Sequence, residues 1–288
     1  MKYHFISQHR LSFSIGAMCT ALNVSRSGYY AWTKRKPSQR EETNRIMIEH
    51  IRRIHQLSRK AYGGPRVYQQ LKKDGWACNH KRVARLMRLE GLKGRRKAHR
   101  MVTTDSRHAF PIAPDHLKRN FSAERPNQKW VADITYIPTQ EGWLYLAGVM
   151  DLYSRKIVGW HMSSQLDAGL VENALRMALY QRQPSQGLLH HSDRGCQYAS
   201  ASIRSILADN HVKVSMSAKG DCYDNAVMES FWGTLKNEWV HHQNYQTRSQ
   251  AKNDIFSYIE GFYNTVRLHS SIGYLSPMEF ETTYRFNP

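Results

Sequence analysis

Three acidic residues stand where the local sequence makes a carboxylate informative. Asp133 lies inside the β-rich stretch WVADITYI, although Asp is disfavoured in strands. Asp193 ends the short apolar stretch GLLHHS, and Glu229 lies in a helix-like stretch rich in Val, Phe, Trp and Leu. Taken singly, each also fits a common structural position: the solvent face of a strand, a turn, or a solvated helix face.

Together, the three carboxylates allow a specific chemistry. Like charges held close together are unfavourable unless something neutralises them, and divalent cations do so. Carboxylate oxygens suit Mg²⁺ or Mn²⁺, and two such ions about 3.5 to 4 Å apart stabilise the attacking and leaving oxygens of a displacement at phosphorus. The hypothesis is therefore a two-metal site on Asp133, Asp193 and Glu229 that acts on a phosphodiester.

The elements that must position these residues follow from the hydrophobic periodicity. Alternating stretches predict three antiparallel strands, and alternating strand and helix patterns follow them. The predicted strands are 128–138, 142–154, 156–164, 187–192 and 213–217, and the predicted helices are 167–182, about 198–209 and from about 224. This order predicts a mixed sheet with helices on its faces, an α+β or α/β arrangement found in ribonuclease-H-like folds.

The helix from about residue 224 is predicted to have an apolar face and a polar face. The apolar stripe consists of Val227, Phe231, Leu235 and Trp239, with Met228 and Trp232 beside it. The separate polar face holds Asn225, Glu229, Gly233 and Lys236. Lys236 lies two turns beyond Glu229, about 10.5 Å along the axis, which leaves it available for another role. We assign Trp232 and Trp239 to the core or an interface.

The charge of the chain is unevenly distributed. Its 288 residues carry a net charge of +19, and residues 1–120 hold 27 of the 42 Lys and Arg but only 7 of the 23 Asp and Glu. Such asymmetry predicts binding to a polyanion, with nucleic acid favoured over an acidic membrane surface. No apolar stretch approaches the roughly 20 residues of a membrane span, and the N-terminus lacks the apolar segment of a secretion signal.

The cysteines indicate that the protein works in a reduced compartment. Neither the cysteines nor the histidines indicate a structural zinc site. Cys19, Cys78, Cys196 and Cys222 are widely scattered, with no pair at zinc-ligand spacing. Disulfides are not favoured without a secretory context. We therefore expect a protein of the reduced cytoplasm.

The basic part of the chain predicts two helical units. Residues 13–32 have the outline of a helix-turn-helix that carries Arg26, a long helix fits 41–57, and residues 63–94 predict a second two-helix unit. In that unit the apolar residues are Val83, Leu86, Met87 and Leu89, and the basic residues are Lys81, Arg82, Arg85 and Arg88. The basic face could be merely solvated, and we favour DNA contact. The resulting domain division is 1–62, 63–95, a basic linker 96–122, and a catalytic core 123–288.

Several stretches together resemble the DDE transposases of insertion sequence family 3, specifically the orfB product. They are VSRSGYYAW, YGGPRVYQQLKKDGWACNHKRVARLM, WVADITYI, HHSDRGCQY, CYDNAVMESFWGTLKNE and FYNTVRLHSSIGYLSP. The resemblance covers nearly the whole chain. It implies a retroviral-integrase-like core after the helix-turn-helix region, with Asp133, Asp193 and Glu229 as the metal-binding catalytic triad and Lys236 as a contact to the transposon-end DNA.

The resemblance also implies a reaction and partners. The chemistry is hydrolysis at a transposon 3′ end, followed by attack of that 3′-OH on another phosphodiester. The implied partners are the terminal repeats, target DNA, an upstream orfA product and further copies of the chain. The absence of sustained heptads agrees with an orfB portion, because orfA supplies the leucine zipper.

Alternatives remain at this point. The chain could be a non-catalytic DNA-binding regulator that uses its basic region, or a ribonuclease H, although the latter does not explain the helical units. His191, Ser192 and Asn225 are candidates for orienting the carboxylates, with ordinary strand filling an alternative for the first two. In the C-terminal motif, packing and DNA contact both fit Tyr263, Asn264, Arg267 and His269.

Overall fold

The computed structural model describes residues 1–95, 113–217 and 225–285. The chain divides into two compact units, Met1–His50 and Ile51–Pro288. Most of the expected linker at 96–122 lies outside the described residues, and the four-part domain division stays a prediction. Within the described ranges, no helix has both the length and the apolar character needed to cross a membrane.

The first unit is built from short capped helices. It contains α1 (Lys2–Gln8), α2 (Ile15–Ala21), α3 (Arg26–Lys34) and most of α4 (Gln39–Leu57). The hydroxyl oxygens of Ser14 and Ser25 accept hydrogen bonds from the first turns of α2 and α3, which fixes where these helices begin. The buried cluster shared by α1, α2 and α3 consists of Ile6, Met18, Cys19 and Tyr29. Helices α2 and α3 match the expected pair within 13–32.

The second unit begins with the end of α4 and a helix pair, α5 (Gly64–Lys73) and α6 (His80–Leu89). The Asn79 side chain caps α6 by accepting a hydrogen bond from the backbone N–H of Arg82 at 2.8 Å. The buried residues of α6 are Val83, Leu86 and Met87. The expectation that Leu89 also faces inward is wrong, since its side chain is 68% exposed. At 100° per residue, Leu89 falls outside the stripe formed by the other three.

A five-stranded mixed sheet forms the centre of the second unit. Its strands are β1 (Lys129–Thr139), β2 (Gly142–Asp151), β3 (Ile157–Ser163), β4 (Leu189–Ser192) and β5 (Lys213–Met216). The spatial order is β3-β2-β1-β4-β5, with β1, β2 and β3 antiparallel and β4 parallel to both β1 and β5. The predicted ribonuclease-H-like mixed sheet is confirmed.

Helices cover both faces of this sheet. Helices α7 (Ala168–Arg182) and α8 (Ala201–Asp209) pack on one face around a core that includes Trp130, Ala132 and Val149. Helix α9 (Ala226–Glu238) meets the opposite face, because Asp133 and Gly148 alternate with those core residues along β1 and β2. Helix α10 (Arg248–Tyr258) continues as a π-helical turn at Ile259–Tyr263, and α11 (Pro277–Arg285) follows.

The buried stripe of α9 differs from the predicted one. Its fully buried apolar residues are Met228, Phe231, Trp232 and Leu235, whereas Val227 and Trp239 are only half-buried. The true stripe follows i, i+3, i+4 and i+7 spacing, and its centre is rotated by about 30° around the helix axis from that of the expected stripe. The rotation places Trp232 against the sheet.

We predict that Gly159→Ala destabilises the fold. A Cβ atom at Gly159 in β3 would lie 2.3 Å from the carbonyl oxygen of Ala174 and 2.7 Å from the backbone nitrogen of Ala178 in α7. Separating the helix from the strand should lower the free energy of unfolding by about 1 to 3 kcal/mol, measured by denaturant titration.

Gly261→Ala is the matched control, because a Cβ there meets nothing nearer than the Ser257 hydroxyl oxygen at 3.9 Å. Its free energy of unfolding should stay the same or rise slightly. Equal losses in both variants would contradict the packing explanation.

Candidate active site

The register between β1 and β4 brings two carboxylates together near the carboxyl end of β4. Lys129 pairs with Leu189 and Val131 pairs with His191. The same register, continued by two residues, places Asp133 level with Asp193. Neighbouring strands lie about 4.8 Å apart, and the charge of Asp193 acts on Asp133. The structure therefore brings these two predicted site residues together.

Asp133 occupies a strongly perturbed environment. Burial raises the pKa of Asp133 to about 7, and the negative charge of Asp193 is the second cause. A hydrogen bond from the Trp232 indole N–H to Oδ2 at 3.0 Å and the positive charge of Lys236 partly oppose the rise in this pKa. Near neutral pH, Asp133 is therefore poised between its protonated and charged forms, and a bound cation would favour the charged form.

Asp193 is fixed by the turn that follows β4. Its Oδ1 accepts a hydrogen bond from the backbone N–H of Gly195 at 2.9 Å. The Ser192 hydroxyl donates to the carbonyl oxygen of Asp193 at 3.1 Å, and the buried His191 ring contacts the hydroxyls of Ser215 at 2.9 Å and Ser217 at 3.2 Å. These bonds order the chain leading into Asp193. An orienting role for His191 and Ser192 stays a prediction.

One face of α9 looks toward β1. The Asn225 side-chain amide donates to the carbonyl oxygen of Ala132 at 2.9 Å, Trp232 bonds to Asp133, and Lys236 interacts with Asp133 through its charge. Residues 225, 229, 232 and 236 are three or four apart, so they share this face. Glu229 thus lies on the side of α9 that meets Asp133, with its side chain partly exposed.

The three carboxylates do not form a finished metal site. Throughout the described ranges, no three His, Cys, Asp or Glu side chains converge closely enough to hold a metal ion. Asp133 and Asp193 lie together, while Glu229 faces them from α9. The residues nevertheless fit a divalent cation, since their donor atoms are hard carboxylate oxygens and Asp133 lies in the field of a second negative charge.

Two features of the site were not predicted from the sequence: the bond from Trp232 to Asp133, and the space that Gly148 leaves for Trp232. Trp232 is buried, in agreement with its predicted place in the core, and its indole N–H also donates to Asp133. Gly148, opposite Asp133 on β2, makes room for it: a Cβ there would lie 2.9 Å from Trp232 Cη2 and 3.2 Å from Met228 Cε. A glycine inside a strand signals such a close approach, and Trp232 lies three residues beyond Glu229.

The predicted DNA contacts occupy varied positions. On α6, Lys81, Arg85 and Arg88 are exposed, whereas Arg82 is half-buried. Arg26 is exposed at the start of α3, within the first unit. Lys236 is half-buried, and burial lowers the pKa of this amine while the charge of Asp133 raises it. Contact of these residues with DNA stays a prediction.

Similarity to known proteins identifies the family. Two Integrase core domain families match residues 123–222 and 210–277, and an HTH-like domain family matches residues 41–100. The transposase InsF for insertion sequence IS3A of Escherichia coli strain K12 is 42% identical over 283 residues, 98% of each chain. The chain belongs to the IS3 family of transposases. This IS3-family chain is therefore a DNA transposase, a nucleic-acid-cleaving enzyme with an integrase core, and the resemblance to insertion sequence family 3 is confirmed.

Other similar proteins include a relative from Shigella sonnei and viral integrases. The insertion element IS600 uncharacterized 31 kDa protein is 45% identical over 267 residues, 93% of this chain and 98% of the relative. An HTLV-2 integrase catalytic core solved with magnesium is 14% identical, with a TM-score of 0.44 over 55% of this transposase and 99% of that chain. A simian T-cell lymphotropic virus intasome has 12% identity and a TM-score of 0.49 over 79% of this chain and 73% of that chain.

We predict that Asp133→Asn stabilises the metal-free transposase at alkaline pH. A carboxyl whose folded pKa is raised adds stability only while it is protonated, and this stability is lost as pH rises from about 4 through 7. Asparagine carries no charge at any pH. The variant should therefore gain roughly 1 to 3 kcal/mol at pH 8 and progressively less toward pH 5.

Denaturant titrations at several pH values in the presence of a chelator measure this gain. Added Mg²⁺ should narrow the difference at pH 8 by stabilising the wild type. A stability difference that does not vary between pH 5 and 8 would contradict the assigned environment of Asp133.

We also predict that Trp232→Phe raises the pKa of Asp133 further. The substitution keeps an aromatic ring but removes the N–H that stabilises the carboxylate, so this pKa should rise by roughly one pH unit. Carboxyl carbon NMR titration of metal-free protein measures the change. Trp239→Phe is the matched control, because the Trp239 indole N–H donates to Asp254 at 2.6 Å instead. The prediction fails if both variants leave the Asp133 titration as in the wild type.

Proposed function

We propose that this transposase hydrolyses the phosphodiester at the 3′ ends of its element and then joins each freed 3′-OH to another phosphodiester. Asp133, Asp193 and Glu229 are the proposed catalytic and metal-binding residues. The observation that carries the proposal is the parallel register of β1 and β4, whose continuation past Val131 and His191 brings Asp133 level with Asp193. Asn225 and Trp232 hold α9 against the same part of β1. Two neighbouring carboxylates repel each other, and a bound cation would neutralise them.

The proposed cofactor is Mg²⁺ or Mn²⁺, with two ions per site. When bound, the ions would neutralise the carboxylates and activate the attacking oxygen for displacement at phosphorus. The protein prepares the site for them: Trp232 engages Oδ2 of Asp133, and the turn at Gly195 engages Oδ1 of Asp193. Glu229, already on the facing side of α9, completes the proposed ligand set, and Asn225 holds the start of that helix on β1.

The proposed substrate is double-stranded DNA, as terminal repeats and as target. The exposed cations of α6, together with Arg26 and Lys236, are the proposed contacts, because Lys and Arg that neutralise phosphates release condensed counterions. We propose that several copies assemble on the paired ends, with the upstream orfA product as a fusion or partner. Such a substrate places the protein with the bacterial nucleoid.

Substitution of the three carboxylates tests this function. Asp133→Asn, Asp193→Asn and Glu229→Gln should each lower Mg²⁺-dependent end cleavage by roughly a thousandfold or more, since metal-assisted charge stabilisation supplies several kcal/mol. Terminal-repeat binding should persist. The assay is supercoiled-plasmid cleavage with the element's own terminal repeats, run with and without the orfA fusion.

Asp209→Asn, an exposed carboxylate at the end of α8, is the matched control and should cleave like the wild type. Full cleavage by any of the three site variants would remove that residue from the catalytic set. Wild-type protein that binds the repeats but never nicks them would favour a DNA-binding regulator instead. Degradation of RNA-DNA hybrids in place of the repeats would favour a ribonuclease H.

A further inference from the structure

Several arginines in the basic helical part of the second unit are partly buried and bind other parts of the protein. Arg59, Arg66 and Arg95 lie in the stretch whose positive charge predicts DNA contact, yet each is bound to the C-terminal part of the same unit. The contacts of all three arginines converge on the region around Glu238. Their charge therefore has a role inside the protein, and DNA binding does not account for it.

Glu238 is the last residue of α9 and is buried. Arg267 grips its carboxylate through two hydrogen bonds, from Nε and Nη2, each 2.7 Å long. The Tyr258 hydroxyl donates a further bond at 3.0 Å. Such a two-point arginine contact fixes the orientation of a carboxylate as well as its position. The C-terminal motif residue Arg267 thus fixes the end of α9.

Arg66 joins the helix pair to this junction. Its Nη1 lies 3.4 Å from Oε1 of Glu238, and its Nε donates to the carbonyl oxygen of Leu268 at 3.2 Å. The adjacent Tyr62 hydroxyl donates to the carbonyl oxygen of Val266 at 3.2 Å and accepts from the backbone N–H of Leu268 at 2.7 Å. Helix α5 is therefore attached both to α9 and to the chain after α10.

Two more arginines reinforce the same corner. The Arg59 guanidinium lies 4.6 Å from the ring centre of Trp239, the residue after Glu238, and donates to Ser257 through Nη2. Arg95 donates to the carbonyl oxygen of Glu238. These contacts tie both ends of the α5–α6 segment to the C-terminal end of α9.

Helix α9 is consequently held at both ends. Asn225 and Trp232 hold its first part on β1, and Arg267 holds its last residue, Glu238. Glu229 lies nine residues before Glu238, about 13.5 Å along the helix axis. Because a short helix moves nearly as a rigid rod, a shift at Glu238 also moves Glu229.

We propose that Arg66 is a positioning residue for DNA cleavage: through Glu238 it fixes α9, so that DNA held by α6 is presented in register to Asp133 and Glu229. Arg66 therefore contributes to the rate of the chemical step and is not a phosphate contact. Two observations support this assignment. The guanidinium of Arg66 donates hydrogen bonds through Nε and Nη1, and the Arg66 side chain is only 29% exposed. This inference rests on the proposed cleavage function.

The test compares Arg66→Gln with Arg85→Gln, an exposed arginine on the neighbouring helix α6. Arg66→Gln should lower the kcat of end cleavage about tenfold to a hundredfold, because small misplacements of a catalytic group are costly. Its Kd for terminal-repeat DNA and the salt dependence of that Kd should match the wild type. Amide hydrogen exchange of residues 226–238 should become faster.

Arg85→Gln should give the opposite pattern. Its KM should rise, the slope of log Kd against log salt concentration should fall by about 1, and exchange in α9 should match the wild type. All assays are run well below the melting temperature of each variant. If Arg66→Gln fails to fold, Tyr62→Phe, which removes only a hydroxyl, should show the pattern of Arg66→Gln at smaller amplitude.

A reduced salt slope in Arg66→Gln would overturn the proposal by making Arg66 a phosphate contact. Wild-type kcat together with unchanged exchange in α9 would overturn it as well, and so would wild-type behaviour of Tyr62→Phe where that variant is needed. Failure of the cleavage function itself is distinguishable, because wild-type protein would then not nick DNA. The salt slope and the exchange of α9 would still decide the role of Arg66.

Discussion

The parallel pairing of β1 with β4 is the constraint on which the site depends. Its register, continued past the end of β4, brings Asp133 level with Asp193, and the pairing fixes the separation of the two strands that lead to these carboxylates. Their repulsion adds to the cost of burying Asp133. The fold thus contains an unfavourable charge arrangement that a bound cation would relieve, which is a common compromise between stability and function.

Helix α9 packs on the face of the sheet opposite α7 and α8, and it contacts Asp133 from that face. Gly148 leaves space for Trp232, Trp232 reaches Asp133, and the same helix turn carries Glu229. At its far end the helix is fixed by Glu238 and Arg267. A buried charge of this kind is strongly destabilising when its partner is lost, so the placement of α9 depends on the C-terminal motif. That motif acts in packing: Tyr263, Asn264, Arg267 and His269 are all buried.

Much of the architecture was predictable from periodicity and turn residues. The five strands, the long helices and the elements that carry Asp133, Asp193 and Glu229 follow from alternating and helical patterns that tertiary packing did not override. The rotation of α9 was not predictable, because its apolar residues allow two overlapping stripes, and the close approach of Trp232 to Gly148, distant in sequence, selects one. The Trp232 bond to Asp133 escaped for the same reason, since it joins residues that are 99 positions apart.

Net charge was an incomplete guide to the basic helical region. It counts Arg66 and Arg85 alike, although one is committed to Glu238 and the other is exposed. This difference matters when segments are exchanged between related transposases. Residues 59–95 and 238–268 are joined by the ionic contacts around the buried Glu238. The sequences of these two segments should therefore vary together among relatives. A chimera that takes its HTH-like segment from one transposase and its integrase core from another would need to keep both sides of that junction compatible.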